Sequence, residues 1–195
     1  MFLDRTIPLI RLTMLALQTS PVTRERNVTD IERLLAIEEI KRLKSKYFYY
    51  LDHKDWARWK AEVWAPDARL EVPEVSMDVR GVDNILKYVS ESAGNQVSTH
   101  YGHMPDIEIL SSDTAKAIWA MEDILRLPKD QPSIYGYTYL HGFGHYHENY
   151  VRLPVGWRIK STRLTRTLTW MSGTSSSQPA IRRRTPGRSA LIRRT

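Results

Sequence analysis

The chain has 195 residues and a hydrophobic fraction of 42%, enough for one domain with its own core plus extensions. It has no cysteine, which excludes a disulfide framework and a thiolate metal site. A net charge of +7 would suggest nucleic acid or an anionic membrane, but residues 31–170 carry 19 Lys+Arg and 19 Asp+Glu, whereas residues 171–195 carry six Arg and no acid.

In chain order, the opening MFLDRTIPLIRLTMLALQTS is mildly apolar but broken by Asp4, Arg5 and Arg11. It has no clean apolar stretch followed by a small-residue cleavage site, so residues 1–28 read as an N-terminal extension and not a signal peptide. Met14 is an alternative start. No apolar run approaches the ~18 residues that cross a bilayer, so a cytoplasmic protein with no membrane partner is expected.

Thr29-Asp30-Ile31-Glu32 has the pattern of a capping box. Ile31, Leu34, Leu35, Ile40, Leu43, Tyr47 and Tyr50 then recur at three- and four-residue steps, predicting an amphipathic helix to about Leu51. DWARWKAEVW predicts a shorter helix stopped by Pro66, Arg69–Val72 a short strand, and Gly81–Ser92 a third helix. After His100 the period changes to two. Asp106–Leu110, Ala115–Leu127, Tyr135–Leu153 and Gly156–Trp170 read as strands of antiparallel hairpins. Helices followed by hairpins argue an α+β fold, a bent sheet covered by helices and open at one mouth. From Ser172 onward Ser, Thr, Pro, Gly and Arg dominate, so residues 171–195 are expected to form a disordered basic tail.

Asp52 closes the long helix, where a carboxylate faces the negative end of the macrodipole at a cost of about 0.3–1 kcal/mol. It either serves a function there or simply starts a turn and pairs with Lys54 or His53. Tyr47 lies five residues earlier, about 140° around an ideal helix, so the two share a pocket only if the chain bends. His100 is flanked by small and turn-prone residues; as a neutral imidazole steadied by a carboxylate it would be a general base. In IWAMEDIL, alternation puts Trp119, Met121 and Asp123 on one face and Glu122 on the other. On the last strand it puts Trp157, Ile159, Ser161, Arg163 and Thr165 together, so an inward Arg163 would pair with Asp123 or hold a substrate oxygen. His141, His145 and His147 share a strand face, but Glu148 points away from them, and no metal site is expected. GFG lacks the third glycine and the strand-to-helix setting of a nucleotide fingerprint, and no other cofactor motif is present.

The order YFYYLDHKDW, THYGHMPDIEI, AIWAMEDIL, GFGHYHENYV and GWRIKSTRLTR resembles the SnoaL-like family of the nuclear transport factor 2-like superfamily over about residues 29–170. The resemblance implies a cone-shaped α+β barrel with a mostly antiparallel sheet around an apolar pocket. Catalytic relatives such as scytalone dehydratase, bile acid 7α-dehydratase and hexachlorocyclohexane dehydrochlorinase pair a helix-end Asp with a strand-start His, which fall on Asp52 and His100. A pocket Tyr of the dehydratases falls on Tyr47, and an Asp and an Arg of the bile acid enzyme fall on Asp123 and Arg163. Trp56, Trp119, Met121 and Tyr146 are the expected pocket lining. Glu122–Asp123 stands where the scytalone enzyme has a second His, and Tyr146 and Glu148 fall near its Ser and Asn, which argues against scytalone as substrate.

The expected function is a cofactor-independent lyase of the dehydratase type, acting on a small apolar cyclic substrate such as a hydroxylated steroid or polyketide. The alternatives are an isomerase or polyketide cyclase with the same dyad, a non-catalytic binding module in which Asp52 and His100 do not touch, and nucleic-acid binding through the tail. The last ranks lowest because the domain is neutral. A homo-oligomer, dimer or trimer, is the expected assembly.

Overall fold

A computed structural model describes residues 28–173 and 180–183. The expectations for residues 1–27, and for most of the basic tail, lie outside the described residues. Helix α1 (Asp30–Asp52) begins at the predicted capping box: Thr29 Oγ1 accepts from the Glu32 N–H, and the Glu32 side chain accepts from the Thr29 N–H. A short helix α2 (Trp56–Arg58) runs into a single wide turn, Trp59–Val63. Strand β1 (Trp64–Val72) starts before Pro66 and shifts register across it, so it is longer than the sequence suggested. Strand β2 (Met77–Arg80), which the sequence did not signal, leads to helix α3 (Val82–Ala93).

The remainder is sheet: β3 (Val97–Ile109), β4 (Thr114–Arg126), β5 (Tyr137–Leu153), β6 (Gly156–Gly173) and β7 (Ala180–Arg183). The strand order is β2-β1-β6-β5-β4-β3, with β7 pairing to the far end of β6. Among the described strands only β1 and β6 run parallel. The sheet is mixed, mostly antiparallel and not closed, the α+β cone that the sequence predicted. Strand β7 puts four residues of the expected tail into the sheet.

Helix α1 lies against β3 at the sheet edge. Its buried face is Ala36, Ile40, Leu43, Lys44, Tyr47, Tyr50 and Leu51. Ile31, Leu34 and Leu35 are exposed, although the predicted stripe included them. At about 100° per residue they point more than 100° away from Ile40, so the apparent stripe combined two faces. The core between helices and sheet is aromatic, with Tyr47 in edge contact with Trp64 and Tyr146 and tilted against Trp59. Among the described residues no helix is long and apolar enough to cross a membrane.

Candidate active site

The end of α1 carries Asp52 to the start of β3. His53 caps the helix, its N–H donating to Tyr49 O and its ring stacked on Tyr49 with centroids 4.1 Å apart. Lys54 then adopts φ +58 and ends the helix. Asp52 Oδ2 accepts from the backbone N–H of His100 at 3.0 Å. Asp52 Oδ1 meets His100 Nδ1 at 2.6 Å and accepts from Ser98 Oγ at 2.9 Å. Burial pushes the Asp52 carboxyl up, but the His100 ring, its charge and N–H, and the Ser98 hydroxyl together hold it below the ordinary carboxylate value. The ionised carboxylate only accepts, so Nδ1 donates in this bond. The His100 and Asp52 side chains are 11% and 17% exposed, so the pair is shielded but not sealed from solvent.

The sequence placed His100 before a strand; it sits within one, opposite Asp123 in the β3–β4 ladder. Residues so paired have Cβ atoms about 4.5–5.5 Å apart on one face. Asp123 is fully buried, on the predicted face with Trp119 and Met121. Its partner is Arg166: Nη2 pairs with Oδ2, and Nε lies 3.4 Å from Oδ1. Asp123 and the phenol of Tyr146 hold the Arg166 guanidinium charged against the cost of its burial. The bond crosses Gly142 on β5, where a Cβ would lie 2.8 Å from Arg166 Nε and closer still to Asp123 Oδ1.

Arg163, expected in this role, is instead on the outer face. Its side chain is 52% exposed and its Nε lies 3.4 Å from Glu71. The cause is a bulge: Asn149 pairs with Ser161 but Tyr150 pairs with Ile159, so Lys160 is an extra residue. Beyond it Thr162 and Leu164, not Ser161 and Arg163, point inward. A one-residue slip exchanges the two faces of a strand.

An open cleft of about 670 Å³ lies between α1 and β3 in front of the dyad. Phe48, Tyr101, Met104, Pro105 and Trp119 form its apolar wall; Lys41, Ser45, His53, Thr99 and His103 are its polar lining. Of the four expected lining residues only Trp119 reaches it. Met121 and Tyr146 are core residues, closed off by α1 packing, and Trp56 stands at the helix end beside Lys54 and Trp59. The pocket is therefore less apolar than expected. Tyr47 lies behind Phe48, with ring centroids 5.4 Å apart. Burial raises its phenol far above the usual value, helped by the charges of Glu148, Asp52 and Asp123, so it stays a protonated donor.

Deeper still, Lys44 is 0% exposed and donates to Glu148 Oε1 at 2.6 Å. Tyr150 donates to Glu148 Oε2 and Thr162 to Oε1, and Trp119 Nε1 donates to the Tyr150 hydroxyl. Three aromatic rings surround the ammonium, Tyr146 at 3.6 Å. This network escaped the sequence reading, because a Lys on an apolar stripe looks like a solvated stem. Glu148 was foreseen to point away from His141, His145 and His147, and it does. Those histidines are on the outer face, where Glu122 accepts from His141 at 2.7 Å and lies 3.4 Å from His103. Among the described residues no group of three or more such side chains could hold a metal ion.

The model of the SnoaL-like domain matches residues 32–163. Among solved structures, a protein provisionally assigned as a scytalone dehydratase from Novosphingobium aromaticivorans superimposes with a TM-score of 0.64 at 21% identity, covering 78% of this chain and 95% of that one. Hexachlorocyclohexane dehydrochlorinase LinA-type3 from Novosphingobium barchaimii gives 0.61 at 18% identity, covering 76% and 97%. An NTF2-like protein with a cystatin-like fold from Novosphingobium aromaticivorans gives 0.55 at 19%, covering 69% and 83%. At these identities the superpositions establish the shared fold, and the domain match over two thirds of the sequence establishes the relationship: the chain belongs to the SnoaL-like domain family.

Proposed function

We propose that the protein is a cofactor-independent lyase of the dehydratase type. One observation carries this reading: His100 Nδ1 is bonded to Asp52 at 2.6 Å, and both residues line an open cleft. A non-catalytic binding module would need no such contact. In the proposed reaction Nε2 takes a proton from the carbon next to a carbonyl, and Asp52 stabilises the imidazolium that forms. The electron pair left on carbon passes through an enolate and expels hydroxide from the β-carbon, which leaves as water after taking a proton. Tyr47, behind Phe48 and packed on Tyr146, is outside the cleft, so in this reading it supports the cleft wall and does not touch the enolate. Asp123 is enclosed; in this reading it holds Arg166 under the His100 strand and does not touch the leaving group.

The cleft has an apolar wall of Phe48, Met104, Pro105 and Trp119 and a polar rim of Ser45, Thr99 and His103. That mixture suits a ring that carries hydroxyl and carbonyl groups, steroid-like or polyketide-like. Relatives of this fold include proteins named as a scytalone dehydratase and a dehydrochlorinase, both eliminations, which supports the reaction class.

The test is incubation with a panel of cyclic β-hydroxy ketones and product analysis by mass spectrometry. Loss of water identifies the lyase; a product of unchanged mass identifies an isomerase or cyclase. His100→Ala and Asp52→Asn should retain native circular dichroism and lose turnover by about 10²–10⁴-fold, the range for a positioned general base. Retention of wild-type turnover by His100→Ala refutes the reading.

A further inference from the structure

Lys54 is one of two non-glycine residues with positive φ among those described, at +58. Two backbone bonds close the helix there: Lys54 N–H to Leu51 O at 3.2 Å and Asp55 N–H to Tyr50 O at 2.9 Å. This is a Schellman closure, whose left-handed position is usually glycine because a Cβ is strained there. The lysine at that position turns its side chain back toward the dyad. Its Nζ donates to Ser98 Oγ at 2.9 Å, and Ser98 Oγ donates to Asp52 Oδ1 at 2.9 Å. An ammonium has donors only, so Ser98 must accept from Lys54 and give its single proton to Asp52. The same Asp52 oxygen takes His100 Nδ1 at 2.6 Å.

We propose that Lys54, acting through Ser98, is a positioning residue that fixes the Asp52 carboxylate and thereby the protonated Nδ1 of His100. The role rests on the dyad reading above. The left-handed conformation is what directs the lysine stem across the helix end; a right-handed residue would continue the helix and carry Nζ away from β3. The Trp56 ring, 5.9 Å from Nζ, closes the other side of the ammonium. Burial lowers the Lys54 ammonium from its ordinary value and the Asp52 charge opposes that shift, as expected for a half-buried cation facing this carboxylate. A lysine that served only to cap the negative helix end would have no need of Ser98.

The test uses the full chain with ¹⁵N-labelled histidine. A ring N–H bonded this closely to a fixed carboxylate gives a downfield proton resonance, assigned by its loss in His100→Ala. Lys54→Gly relieves the backbone and removes the ammonium, so it should melt at or above the wild-type temperature while losing that resonance. Ser98→Ala, which leaves the helix closure intact, should lose it too. A purely structural lysine predicts the reverse: a lower melting temperature in Lys54→Gly with the resonance unmoved. An unmoved resonance in both variants overturns the positioning role and leaves the dyad reading standing. Absence of the resonance from the wild type overturns the dyad reading itself.

Discussion

A single methyl group at Gly142 tests how tightly the inner half of the site is built. Gly142 pairs with Asp123 across the β4–β5 ladder. In a strand interior, glycine is ordinarily about 0.5–1 kcal/mol less favourable than alanine, so Gly→Ala should stabilise. Here the new Cβ would stand 2.8 Å from Arg166 Nε and 2.9 Å from Arg166 Cδ, with the Asp123 carboxylate nearer still. The carboxylate would have to retreat by about 1 Å, which takes a hydrogen bond out of range. Its Nε contact is already 3.4 Å long, and Asp123 has no exposed route of escape. Overpacking of this kind costs about 1–3 kcal/mol, and opening a buried ion pair costs about 3–5 kcal/mol. The two costs describe one event; taking the opened pair alone and setting the strand gain against it, Gly142→Ala should lose at least about 2 kcal/mol. Urea unfolding followed by tryptophan fluorescence measures this directly, with an unchanged slope confirming that the same fold is being lost. A neutral or stabilised Gly142→Ala would show that the Asp123–Arg166 pair is not confined as described.

Two further outcomes follow from the buried charges. Lys44→Met strands Glu148, which is 2% exposed, and should cost about 3–5 kcal/mol in the same urea assay; adding Glu148→Gln removes the stranded charge while keeping an acceptor for Thr162, and should recover most of the loss. A single-variant loss under about 1 kcal/mol would contradict this account of the network. Because the folded Asp52 carboxyl lies below its unfolded value, its stabilising contribution is present above the ordinary carboxylate range and disappears as pH falls through the folded value. Wild type and Asp52→Asn should therefore converge in melting temperature as pH drops below about 4, and a constant gap would exclude the linkage.

Much of the fold was legible in local chemistry. Thr29 and Glu32 announced the start of α1, and the change of period after His100 announced the sheet. Trp119, Met121 and Asp123 lie inward as strict alternation required, because β4 has no bulge against β5. Other features depend on three-dimensional context. Ile31, Leu34 and Leu35 are apolar at helical spacing, yet the sheet does not cover that face of α1. Residues 52 and 100 are far apart in the chain, so nothing in periodicity brings them together; the family resemblance did. Lys54 carries no sequence mark of a left-handed residue, since Asn or Gly would be the usual sign.

The arginine shows most clearly where pattern reading fails. Counting by two from Trp157 through Ile159 reaches Arg163, and that count is valid until the extra residue at Lys160. A second irregularity follows, where Gly144 pairs with Arg166 but Phe143 pairs with Leu168. The close packing at Gly144, where a Cβ would meet the Arg166 backbone at 2.7 Å, leaves no room for a larger residue beside this bulge. Arg166 thus enters the interior between two irregularities, over Gly142 of β5, which has no side chain to block it. Each feature alone weakens a strand. Together they let a guanidinium cross from β6 to a buried carboxylate on β4, beneath the strand that carries His100. Regular alternation on β6 would have put a smaller or outward residue there and left Asp123 buried without a counter-charge, a state costing several kcal/mol. The bulges are therefore required by Asp123, and the acid on an apolar strand face was the sequence's own sign that some distant cation had to reach it.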